Sequence, residues 1–149
     1  MIESRFVKKG GIFVLLKKTM VMVSKITSDI RISVFPKYDV KNSFPSENRH
    51  VFKYNITIEN LGEIPVKVLR RKWLIYDVGF GFTEVSGDGV IGLTPEIQPG
   101  EQFTYFSNVM LRSGVGSMTG KYLLKHLLTS ENIEVDIPKF NLLSEVLSN

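Results

Sequence analysis

Apolar and polar residues alternate along most of the chain with a period of two, the pattern of strands that bury one face. Ile30, Ile32 and Val34 alternate with Arg31, Ser33 and Phe35, and Pro36 with the polar stretch from Lys37 to Asn48 interrupts them. Phe52, Tyr54, Ile56 and Ile58 then share one face of a longer run, opposite Val51, Lys53, Asn55 and Thr57. The segment from Asn60 to Pro65 reads as a turn into a third strand region, Val66 to Val78, which carries Trp73. Gly79 and Gly81 predict a hairpin into Phe82 to Val85. Further strand patterns follow at Phe103 to Phe106, Lys121 to Leu128 and Ile133 to Ile137. A helical period is offered only by Asn141 to Leu147, with Leu143, Val146 and Leu147 on one side, so a short terminal helix is expected there.

About seven short strands with turns between them predict an all-β fold, an immunoglobulin or fibronectin-III-like β-sandwich. The domain is expected over residues 28–142, after an N-terminal extension (1–27) and before a C-terminal tail (143–149). A chain of 149 residues with 43% hydrophobic and 23% charged residues can bury a full core without a metal or disulfide staple.

Composition narrows the chemistry. With no cysteine, thiol catalysis, cysteine-ligated zinc and disulfides are excluded, and two histidines, His50 and His126, leave little for histidine-based acid–base or metal chemistry. No metal site, cofactor or catalytic residue is expected. The net charge of +4 is unevenly spread. Residues 1–27 hold Arg5, Lys8, Lys9, Lys17, Lys18 and Lys25 against Glu3 alone, and the remainder is close to neutral, which argues against nucleic acid as a partner. The apolar runs Ile12 to Leu16 and Met20 to Val23 are split by Lys17 and Lys18, too short for a membrane span and without the cleavage pattern of a signal peptide. That segment reads as an over-extended start, with Met20 or Met22 as the natural beginning, and no membrane partner is expected.

Several blocks in register resemble the ApaG family: Tyr54 to Asn60, Arg71 to Trp73, Gly87 to Gly92, Pro99 to Glu101, Gly116 to Gly120 with Tyr122, and Ile137 to Leu142. The resemblance implies a fibronectin-III-like sandwich, a cytoplasmic bacterial protein, and an indirect link to cobalt resistance and magnesium efflux. Eukaryotic relatives carry the domain in an F-box protein and in a partner of a DNA polymerase, which implies a non-catalytic interaction module with a protein partner. The chain departs from the family's usual Arg-His-Trp, having Lys72 between Arg71 and Trp73. It also has Ser107 to Leu111 where a cysteine-containing block is usual, and Ser113-Gly114 where a Thr-Pro pair is usual.

Two places carry candidate chemistry. Gly87, Gly89 and Gly92 fit G-x-G-x-x-G, but Pro95 and Pro99 preclude the helix that a dinucleotide site requires. The stretch therefore reads as a tight loop with glycines at positive φ. The alternative is a backbone nest for phosphate or pyrophosphate, which would make the chain a small-ligand sensor. Glu84, Asp88, Glu96 and Glu101 lie nearby without the spacing of a cation loop. Arg70, Arg71 and Lys72 form a basic triplet before Trp73, with Arg71 and Trp73 on one face of an extended strand and Arg70 and Lys72 on the other. The triplet is a candidate partner-binding patch, and exposed edge strands leave room for a homodimer.

Overall fold

The computed structural model describes residues 3–9, 12–18 and 21–145. Strands β1 (Glu3–Lys9) and β2 (Ile12–Lys18) pair antiparallel with one another. The rest of the described chain forms two antiparallel sheets. One runs in the order β3 (Val23–Thr27), β4 (Ile30–Tyr38), β5 (His50–Asn60), β9 (Gln102–Leu111). The other runs β11 (Asn132–Leu143), β10 (Val115–His126), β6 (Val66–Asp77), β7 (Gly81–Asp88), and β8 (Glu96–Ile97) pairs with the start of β6.

The alternating residues do what their spacing predicts. Ile30, Ile32, Val34, Phe52, Ile56 and Ile58 from one sheet pack against Trp73, Tyr122, Leu124, Val135 and Ile137 from the other. Two short strands add to the seven expected. β8 is only two residues long, and β3 falls within residues 1–27, joined to β4 by Ser28 and Asp29, both at positive φ. The first sheet therefore begins at Val23, ahead of residue 28, where the sequence pattern begins. Residues 1, 2, 10, 11, 19 and 20 of the extension lie outside the described residues.

Two prolines sit inside strands where their missing N–H does no harm. Pro36 lies in β4 beyond the last pair with β3, Val23–Val34, so the strand continues through it to Tyr38. Pro138 lies in the edge strand β11 at the register shift opposite Met118 and Gly120. The terminal helix expected from Asn141 does not form over Asn141–Leu143. Those residues complete the pairing of β11 with Val115–Ser117, and a sheet edge outcompetes a one-turn helix that has few hydrogen bonds of its own. Val146 and Leu147 lie outside the described residues. Among the described residues, no helix is long and apolar enough to cross a membrane.

Candidate functional site: a glycine hairpin clamped by Arg71

The basic triplet and the glycine motif meet through an irregularity in β6. Leu123 pairs with Arg70 and Leu124 with Val68, so Leu69 is an extra, bulged residue. The bulge changes which alternate residues face inward. Before it Val66 and Val68 are buried; after it Trp73 is buried and Arg71, on the same face, is half-buried. It also marks where β6 changes partner. Arg70 to Asp77 pair with β7, and Val66 and Lys67 pair with β8. The glycine motif is the link between those two partners.

Backbone groups of the link are largely committed within the fold. The Gly89 N–H donates to the carbonyl of the bulged Leu69 at 2.7 Å. Val90 and Leu93 exchange both hydrogen bonds, at 2.8 and 2.9 Å, around Ile91 (φ 45°) and Gly92 (φ 75°). Positive φ at both central positions makes this a type I′ two-residue hairpin. Gly89 is required by close approach as well as by φ: a Cβ there would lie 2.0 Å from the Leu93 carbonyl oxygen. A phosphate nest needs several convergent free N–H groups, and those of Gly89, Val90 and Leu93 are already donated.

Arg71 holds the hairpin base from the inner side. Its Nη1 donates to the Asp88 carbonyl at 2.9 Å and to the Gly89 carbonyl at 3.0 Å. Arg71 pairs across the sheet with Gly87, and a Cβ on Gly87 would stand 2.9 Å from both Nη1 and Nη2 of the guanidinium. Gly87 is therefore a passage for the arginine side chain. We expect Gly87→Ala to destabilise the wild type and to cost much less once Arg71→Ala has emptied that space. A double-mutant cycle by urea unfolding should give a coupling of about 1 kcal/mol or more. Equal costs in both backgrounds would show that the guanidinium does not depend on the glycine.

All three residues of the triplet line one groove, and each is engaged within the chain. Arg70 and Lys72 point outward, where Arg70 meets Asp88 at 2.9 Å and Lys72 meets Glu84 at 3.0 Å. Lys121 of β10 joins them beside a groove of about 310 Å³. A hydrogen bond and the charge of Glu134, at 2.9 Å, hold its ammonium in the charged form to higher pH than usual. The same pairings occupy two of the carboxylates considered as cation ligands. Among the described residues, no group of three or more histidine or acidic side chains is placed to hold a metal. His50, by contrast, is buried, with its Nδ1 3.0 Å from the Tyr38 hydroxyl.

Behind Arg71 lies a tyrosine cluster that sequence reasoning missed. Tyr54, Tyr105 and Tyr122 are buried, and the hydroxyls of Tyr105 and Tyr122 are hydrogen-bonded to each other. Tyr54 also packs edge-on against Trp73, with ring centroids 5.5 Å apart. Burial raises all three phenol pKa values. The Arg71 charge opposes that rise at each, and Ser107 opposes it at Tyr54 through a hydrogen bond. The bulge had a signal in the sequence: apolar residues fall on even numbers at Val66 and Val68 and on odd numbers at Trp73 and Ile75. The Arg71–Gly87 pairing had none.

The arrangement can hold a rigid tip. It presents Ile91 and Leu93 to solvent, 54% and 51% exposed, on a hairpin fixed by its own hydrogen bonds and by Arg71.

Comparison with known proteins gives a consistent picture. The profile of a family described as the ApaG domain matches residues 40–126. The chain is 40% identical over 116 residues to Protein ApaG of Erwinia tasmaniensis, covering 78% of this chain and 92% of that protein. It is 41% identical over 122 residues to Protein ApaG of Pseudomonas aeruginosa, covering 80% and 94%. Among solved structures, it is similar to the putative ApaA protein from Bordetella pertussis, with a TM-score of 0.76 and 36% identity over 79% of this chain and 95% of that one.

Proposed function

The chain belongs to the ApaG domain family, and from that premise we propose that it is a non-catalytic interaction module whose contact tip is the glycine hairpin. One observation carries the reading: a β-branched residue, Ile91, is kept at φ 45° on an exposed turn. Asparagine or glycine is the low-energy choice at that position of a type I′ turn, and an isoleucine there is strained. Strain of that kind concentrates where a side chain is needed for something other than folding. Ile91 and Leu93 together offer an apolar contact suited to a protein surface and ill-suited to a phosphate. The module works in the cytoplasm and influences divalent-cation (Co²⁺/Mg²⁺) homeostasis or efflux through its partner, as the family resemblance implies.

The test separates folding from recognition. Ile91→Asn should raise stability by about 1 kcal/mol, because the strain is relieved and little buried contact is lost. That is a gain of roughly 2–4 °C in Tm for a domain of this size. The same variant should lose the partner recovered by in-cell crosslinking with the wild type, and cells carrying it should show the cobalt sensitivity of a deletion strain. A variant that is more stable and still fully functional would overturn the reading. So would saturable stabilisation of the wild type by pyrophosphate, the mark of a ligand sensor at Gly87, Gly89 and Gly92.

A further inference from the structure

The two sheets end in four principal edge strands, and three carry a recognisable protection against pairing with another chain. β3 is five residues long and carries Lys25. β11 has Pro138 at its register shift, and β3 packs beside it: the Asp136 N–H donates to the Thr27 hydroxyl and Lys25 meets the Asp136 carboxylate at 2.8 Å. β7 contains Gly81, Gly87, Glu84 and Asp88. β9 has none of these. Its ten residues, Gln102 to Leu111, include no charge, no proline and no glycine, and they pair with β5 without a register shift. Its other edge takes no strand among the described residues. The outward face of β9 is apolar in part, with Phe106 67% and Met110 52% exposed.

We propose that β9 pairs antiparallel with β9 of a second copy of this chain, about a two-fold axis through Phe106. The two four-stranded sheets then form one continuous eight-stranded sheet. The sequence of the strand suits pairing with its own copy. Antiparallel pairing keeps inner residues opposite inner ones only when the two residue numbers sum to an even value. Two such registers use nearly the whole strand. Centred on Phe106, the pairing sets Phe106 against its own copy, Phe103 against Val109, Thr104 against Asn108 and Tyr105 against Ser107. Phe106 with its copy and Phe103 with Val109 are aromatic on aromatic or β-branched, and Thr104 with Asn108 is polar on polar, which are favourable cross-strand pairs. Tyr105 with Ser107 and Gln102 with Met110 are not of these kinds. Centred on Ser107, the pairing would keep Tyr105 on Val109 and Phe103 on Leu111 on the inner face. It would set Phe106 against Asn108 and Thr104 against Met110 on the outer face, where the register centred on Phe106 matches two pairs of three. An uncharged edge also lets two copies of a basic chain approach without repulsion along the seam. The interface uses a different element from the glycine hairpin and stands independently of the function proposed for it.

The chain lacks cysteine, so a single introduced thiol reports on one contact. Directly opposed residues on antiparallel strands have Cα atoms about 4.5–5.5 Å apart, within the range a disulfide spans. Under mild oxidation, Phe106→Cys should give a covalent dimer at least about tenfold faster than Leu128→Cys, an equally exposed control in the β10–β11 turn. Sedimentation of the untagged wild type from low to high micromolar concentration should show the mass doubling. Phe106→Lys, which sets two lysines against each other at the axis, should weaken the dimer about tenfold or more. Thr104→Lys combined with Asn108→Glu should keep it, because each lysine then faces a glutamate of the other copy, whereas lysine at both positions should not. A monomer at every concentration would overturn the proposal. So would a dimer indifferent to Phe106→Lys, or a Phe106→Cys variant that crosslinks no faster than the control.

Discussion

Gly120→Ala is expected to lose about 3 kcal/mol or more of stability, at the upper end of what overpacking costs. Gly120 lies at the register shift between β10 and β11, directly opposite Trp73 on β6. A Cβ there would stand 2.2 Å from the Lys72 carbonyl oxygen, 3.1 Å from Trp73 Cε3 and 3.2 Å from Ile137 Cδ1. The first contact is with backbone in the middle of the sheet, which no side-chain rotation can relieve, so β10 must separate from β6 or the methyl must be expelled. Gly92→Ala is the internal control: it also has an unfavourable backbone, at φ +75°, but nothing lies within 4 Å of its Cβ. That substitution should cost only about 1 kcal/mol. Urea unfolding of both variants decides the matter. A Gly120→Ala chain no less stable than Gly92→Ala would mean that the two central strands are not held at the spacing described.

How much of this was legible in the sequence depends on the range of the interaction. The sandwich was readable because its strands bury one face each, and Ile30 to Val34 or Phe52 to Ile58 state that locally. Bulges were readable in principle. Ile133, Val135 and Ile137 fall on odd numbers, and Phe140 and Leu142 on even ones, a change of phase at Pro138. The same change between Val68 and Trp73 locates the bulge at Leu69 and so turns Arg71 inward. The reason for Gly87 could not be read from one chain, because it lies in a residue sixteen positions away that becomes its neighbour only through the β6–β7 register. The motif reads as a tight loop with glycines at positive φ, and Gly89 and Gly92 are such glycines, but Gly87 lies in β7 without a positive φ and is a passage for an arginine. The short terminal helix failed for a similar reason. Leu143, Val146 and Leu147 have helical spacing, but Asn141 to Leu143 find open backbone partners on β10 that lie far off in sequence.

Raising the pH should unfold this protein steeply, and the tyrosine cluster is the cause. Tyr54, Tyr105 and Tyr122 are buried, and burial holds each phenol pKa above its ordinary value near 10. Below that value the three are neutral in both the folded and unfolded chain, and they contribute no pH dependence. Above it the unfolded chain releases its phenolic protons while the folded chain keeps them, so the unfolded state binds fewer protons and stability falls with rising pH. Each such group contributes about 1.4 kcal/mol per pH unit until the pH reaches its folded pKa. Tyr105 and Tyr122, whose pKa values are raised furthest, therefore together approach roughly 3 kcal/mol per unit above pH 10, and Tyr54 adds to the first part of the fall. A domain with a stability of about 5–15 kcal/mol cannot withstand that slope for more than a few units. Unfolding free energies from urea titrations between about pH 8 and pH 12 measure the slope directly. Replacing Tyr105 and Tyr122 together by phenylalanine removes two of the three groups and, with them, both members of the hydroxyl pair, so no buried partner is stranded. That double variant should lose most of the alkaline slope contributed by the cluster. If it instead loses stability with pH as steeply as the wild type, the buried phenols are not what fails at high pH.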